Sequence, residues 1–115
     1  MKVYICGNKC YEQTFYDAEV LLRKQGHIPI NPVKILYALP LEINNSDFTV
    51  IAFELIRISD AVYLINECEK DLLTGMELSH AKRLDKEILY AAYPRHFLYS
   101  GTYISQNGTV LQFTR

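Results

Sequence analysis

The chain has 115 residues, half of them apolar and 22% charged, with a formal net charge of −1 at pH 7. That length accommodates one domain and no second core, and a chain of this size folds without needing a metal or a disulfide. The near-neutral balance, with no long patch of Lys and Arg, argues against duplex nucleic acid and an anionic membrane as partners.

Residues 2–6 are β-branched and aromatic and stop at Gly7, which predicts a buried strand closed by a turn. The apolar run there is too short for a secretory leader, and no apolar stretch reaches the ~20 residues of a membrane span. Over 14–25, Phe15, Ala18 and Leu22 recur at helical spacing, and Gly26 supplies the stop. Residues 27–30 form a second short strand, halted at Asn31-Pro32 because the residue before proline is pushed toward extended geometry. The segment 33–45 holds Pro40 and two adjacent asparagines, and reads as a short helical turn followed by loop.

Asp47 is the expected N-cap of a helix ending near Ser59, with Phe48, Ile51, Leu55 and Ile58 on one face. Residues 60–65 are the clearest strand, apolar enough to be buried on both faces. A polar loop over 66–71 leads to a helix over 74–84 and a fourth strand over 87–92. Strand-like runs at 97–105 and 109–114 flank Gln106-Asn107-Gly108, a hairpin signal. That hairpin extends the sheet edge or pairs with a second subunit.

Strand and helix alternate, so residues 1–115 are expected to form a single α/β domain, a three-layer flavodoxin-like or Rossmann-like architecture. Its central sheet would be mainly parallel, with about four or five strands, and would carry the C-terminal β-hairpin over 97–114. Three cysteines (Cys6, Cys10, Cys68) are an odd number without zinc-ribbon or redox spacing, which indicates reduced thiols and a cytoplasmic protein.

In open α/β sheets ligands bind beyond the carboxyl ends of the strands, at the switch in strand order. Here those ends are Cys6-Gly7-Asn8, Asn31-Pro32, Asn66-Glu67 and the segment entering the helix near Thr74. The first loop lacks the spaced glycines of a dinucleotide fingerprint, and it is not a Walker A loop. Glu77 is the most informative residue. It shares a helical stripe with Leu73, Ala81 and Leu84 that should face the sheet, and an unpaired buried carboxylate is costly. Two readings stand: Thr74-Gly75-Met76-Glu77 is a capping box, or the carboxylate is held for chemistry. His80, one turn on, completes a Glu-x-x-His pair, which alone is far short of a metal site and fits a packed histidine better. Tyr4 lies inside the first strand, as core unless its hydroxyl reaches the strand end. Cys6 has no evident base to activate it as a nucleophile. Nothing in the sequence calls for a metal or an organic cofactor.

The order of these motifs resembles the nucleoside 2-deoxyribosyltransferase superfamily, which includes the deoxynucleoside monophosphate N-glycosidases. Val3-Tyr4-Ile5-Cys6-Gly7 resembles its first strand and glycine loop, and Ser59 through Ile65 its central strand. Gly75-Met76-Glu77-Leu78-Ser79-His80-Ala81, followed by Leu84 through Ile88, resembles its nucleophile helix and the next strand. The Asn31-Pro32 turn also fits. The likeness covers roughly residues 1–92 and leaves the hairpin outside. It implies cleavage or transfer of the N-glycosidic bond of a nucleoside or nucleotide, with Glu77 attacking the sugar, Tyr4 in the active site and a second acid protonating the leaving base. It implies a substrate pocket that includes Cys6, Gly7, Asn8, Asn31, Asn66 and Gly75, and a homo-oligomer whose sites borrow residues from a second subunit.

The sequence departs from that pattern at three positions. Ala52 stands where the family carries its acid, leaving Glu54 or Asp47 as substitutes from neighbouring turns. Asp71 stands where a serine binds phosphate, and Leu73 replaces a glycine. The alternative is therefore a binding module of the same fold that holds a nucleotide or ribosylated ligand without breaking it. An interaction protein working through its tail hairpin is a further reading.

Overall fold

The computed structural model describes residues 1–40, 42–65, 71–91 and 100–114. Ten elements follow in chain order: β1 (Lys2–Cys6), α1 (Glu12–Lys24), β2 (Ile28–Ile30), α2 (Pro32–Ala38), α3 (Asn45–Arg57), β3 (Ala61–Leu64), α4 (Leu72–Arg83), β4 (Glu87–Ala91), β5 (Gly101–Ile104) and β6 (Val110–Phe113). They form one six-stranded sheet in the order β2-β1-β3-β4-β5-β6. The first five strands run parallel and only β6 is antiparallel. This is the three-layer, mainly parallel α/β fold expected from the alternation of elements. The hairpin extends the sheet edge, since β5 pairs with β4.

Alternation along β1 divides the core, because successive strand side chains point to opposite faces. Val3 and Ile5 pack with Phe15, Ala18 and Leu22 of α1. Tyr4 and Cys6 point the other way, into a cluster with Phe48, Ala52 and Ile56 of α3 and Leu78 and Ala81 of α4. The chain leaves β1 toward β2 on one side and returns to β3 on the other, so the switch in strand order lies between β1 and β3. Gly7 closes β1 against that junction. A Cβ there would stand 2.3 Å from Ile65 Cγ1, so any larger residue would force the Ile65 side chain or the loop to shift.

Two expected helix starts move. Asn44, not Asp47, caps α3, its side chain accepting the Asp47 amide at 2.8 Å. Asp71, not Thr74, caps α4, its Oδ2 accepting the Thr74 amide at 3.1 Å and the Thr74 hydroxyl at 2.8 Å. In both cases a short Asn or Asp side chain three residues upstream takes the orphan amide first. The capping-box reading of Glu77 falls with this, for Glu77 lies in the second turn of α4 and bonds into the domain. The short helical turn expected at the start of 33–45 is the two-turn α2 over 32–38, started by Asn31 and by proline at its first position.

Candidate active site

The site is built where the carboxyl end of β1 meets the amino-terminal half of α4. Glu77 has no exposed surface. Tyr4 donates its hydroxyl to Glu77 Oε2 at 2.8 Å, and Cys6 Sγ lies 3.7 Å from Oε1. Both side chains come from the same face of β1, two residues apart, which is the spacing that places them side by side. The fourth member is Lys9, on the loop after Gly7. Its Nζ stands 3.1 Å from Oε1 and 3.0 Å from Oε2, straddling the carboxylate.

These neighbours decide the protonation of the group. Burial pushes the Glu77 carboxyl above the ordinary carboxylate range, and the Lys9 charge and the hydrogen bonds from Lys9, Tyr4 and Cys6 draw it partly back. Tyr4 is raised well above an ordinary phenol, first by burial and then by the charge of Glu77. It is therefore a neutral hydrogen-bond donor and no base.

Lys9 also roofs the carboxylate. Its side chain is 12% exposed, and its ammonium sits 5.6 Å from the centre of the Phe48 ring. Outside it opens a cleft of about 780 Å³, lined among others by Asn8, Lys9, Asn44, Phe48, Asp71 and Met76. Lys9 lines this cleft and Glu77 does not, so the ammonium stands between the open space and the carboxylate it contacts.

The residues singled out from the sequence are not all brought together. Tyr4, Cys6 and Glu77 touch one another, with Gly7 and Asn8 beside them. Asn8 lines the cleft and shapes the loop by accepting the Cys10 amide at 3.0 Å. Asn31 ends β2 with its Oδ1 capping α2 at 3.0 Å, while its buried Nδ2 has no hydrogen-bond partner among the described residues. Gly75 lies on α4 and lines a neighbouring depression that shares Asp71, Leu72 and Met76 with the cleft. Asn66 lies outside the described residues. Asp47 and Glu54 are exposed and neither lines the cleft. Glu54 instead pairs with Arg57 at 2.9 Å across one helical turn. Ala52 is fully buried under Tyr4 and Cys6, a place that a methyl group fills. His80 stacks on Phe53, ring centres 4.1 Å apart, and so joins α4 to α3. Among the described residues no group of three His, Cys, Asp or Glu could hold a metal ion, and no helix is long and apolar enough to cross a membrane.

Lys9 is the residue that sequence reasoning missed. The available signal was indirect: a glutamate predicted to face the sheet favours a positively charged or hydrogen-bonding partner. Nothing in the local pattern says which of 12 Lys and Arg residues supplies it.

Comparison with known proteins follows the same outline. The chain is similar to a 2-deoxyribosyltransferase from the psychrotolerant bacterium Bacillus psychrosaccharolyticus, described as a biocatalyst for nucleoside synthesis. The TM-score is 0.62 at 22% identity, covering 78% of this chain and 71% of the other. It is also similar to the CMP N-glycosidase BcmB of Clostridium botulinum, with a TM-score of 0.64 at 15% identity over 91% of this chain and 88% of the other. The chain thus shares its fold with these two proteins. No curated protein matches by sequence. Residues 1–90 match one family model, and the chain belongs to that family, described as Domain of unknown function (DUF4406).

Proposed function

We propose that the protein cleaves or exchanges the N-glycosidic bond of a nucleoside-like ligand, with Glu77 as the nucleophile. The observation that carries this reading is a buried carboxylate held by Tyr4, Cys6 and Lys9 beside a cleft at the switch point of the sheet. In the reaction a Glu77 oxygen attacks the anomeric carbon, and the bond to the base nitrogen breaks with its electron pair leaving on the base. Water or a second base then resolves the glycosyl ester, as in retaining glycosidases. The two structural neighbours, a deoxyribosyltransferase and a CMP N-glycosidase by name, support this kind of chemistry.

The lining of the cleft favours an uncharged nucleoside over a nucleotide. Glu12 and Asp71 are both on it, and the one cation among its described residues, Lys9, is engaged by Glu77. Asp71 also occupies the amino terminus of α4, where a phosphate would otherwise find free amides.

A second reading has its own observation. Glu77 is fully shielded, and Ala52 offers no proton, so the domain would hold a nucleoside-like ligand without breaking it. One experiment separates the two. Wild type and Glu77→Gln are incubated with nucleosides, nucleotides and NAD, and free base is followed by chromatography. Release by wild type that falls at least ~10³-fold in the variant, with ligand affinity within about tenfold, is the expected result. No release from any compound, with saturable thermal stabilisation by one of them, establishes the binding module instead.

A further inference from the structure

We propose that Lys9 is the proton donor to the departing base. This rests on Glu77 acting as the nucleophile. Among the described residues, the Lys9 ammonium is the proton-bearing group that touches the Glu77 carboxylate on one side and lines the cleft on the other. The two carboxylates that line the cleft are otherwise engaged, and Asp47 and Glu54 lie off it. Asp71 accepts the amide and hydroxyl of Thr74, Glu12 accepts the Tyr37 hydroxyl, and Glu54 turns to Arg57 in solvent. Tyr4 spends its proton on Glu77 beneath the site.

The pairing couples the two halves of the reaction. While Glu77 is an anion it stabilises the ammonium at 3.0 Å. As the Glu77 oxygen forms its bond to the anomeric carbon, that negative charge disappears. The ammonium, only 12% exposed, is left without its counter-ion. Lys9 is then the group placed on the cleft to give a proton as the base nitrogen acquires its electron pair. The proton passes from Nζ to the base, leaving a neutral amine beside the glycosyl ester. Water then loses a proton to that amine while its oxygen bonds to the anomeric carbon, and the ester bond breaks with its electron pair returning to Glu77. The ion pair is restored, and the net change is nucleoside plus water to base plus free sugar.

The test varies the need for a proton. Wild type, Lys9→Arg and Glu77→Gln are assayed on purine and pyrimidine nucleosides and on their N7-methylpurine and N3-methylcytosine cations, whose bases depart without protonation. Arginine keeps the positive charge beside Glu77 but cannot release a proton. Lys9→Arg is expected to lose about 10²–10⁴-fold on ordinary nucleosides and less than about tenfold on the methylated series, while Glu77→Gln loses both. Should the Arg variant fail to fold, Lys9→Gly supplemented with ethylamine is expected to recover base release, and tetramethylammonium, which has no proton to give, is not. Equal loss on both substrate series, wild-type rates in Lys9→Arg, or equal rescue by both cations would overturn the role of Lys9 while leaving Glu77 as nucleophile. A wild-type protein that releases base from neither series would overturn the glycosidic reading, and Lys9 with it.

Discussion

Glu77 and its three neighbours set the pH behaviour of the protein. In the proposed reaction the attacking form is the ionised carboxylate, whose pKa is raised by burial. Base release should therefore rise with pH through a midpoint above the ordinary glutamate value of about 4.3. Stability carries the opposite slope. In the unfolded chain Glu77 ionises at its ordinary pKa, so over the window between that value and the raised folded one the native state holds the extra proton. This group's contribution is full below the unfolded pKa and is lost as pH climbs through the folded one. Urea denaturation across that window, compared with Glu77→Gln, isolates the contribution, and a kcat/KM profile whose acid limb sits at or below 4.3 would contradict the assignment. At this scale Tyr4, Cys6 and Glu77 were legible, because β periodicity and the helical stripe each aim a side chain inward. Lys9 was not, since it meets Glu77 from 68 residues away along the chain, through a loop without periodicity.

Two helices end in the same way with different residues. After α1, the His27 amide bonds to the Leu22 carbonyl and the Gly26 amide to Arg23, with Gly26 at φ +85°. After α4, the Lys86 amide bonds to Ala81 and the Asp85 amide to Lys82, with Asp85 at φ 56°. Both are the left-handed C-terminal motif that glycine favours. The first was readable from Gly26. The second was hidden because aspartate only tolerates this conformation, and tertiary packing of α4 onto the sheet imposes it. Asp85→Gly should stabilise the domain by about 0.5–1 kcal/mol, the relief of left-handed strain less the extra chain entropy of glycine. A thermal midpoint that is unchanged or lowered would show that Asp85 sits there without strain.

The hairpin lies beyond the segment that matches the family, yet it belongs to the core of the molecule. Tyr103 is 1% exposed and stacks on Tyr90 of β4 at 5.1 Å, while Ile104 joins the cluster under α1. Deleting residues 92–115 would strip the β4 edge of its partner and expose that apolar surface, and truncating a single buried aromatic already costs about 3–5 kcal/mol. The shortened chain is expected to aggregate or to lose its cooperative thermal transition. A soluble monomer melting near the wild-type temperature would reduce the hairpin to a removable appendage.

Periodicity, turn residues and the order of motifs determined the fold class, the sheet-facing glutamate and the likeness to nucleoside-processing proteins, because each is written within a few residues of itself. Cap competition decided where α3 and α4 begin, since Asn44 and Asp71 accept the backbone amides of Asp47 and Thr74 themselves and so start each helix before the expected cap. Only the tertiary structure decided what stands beside Glu77. Excluding water around a carboxylate favours a cation beside it, but which lysine supplies it is settled by packing between distant segments.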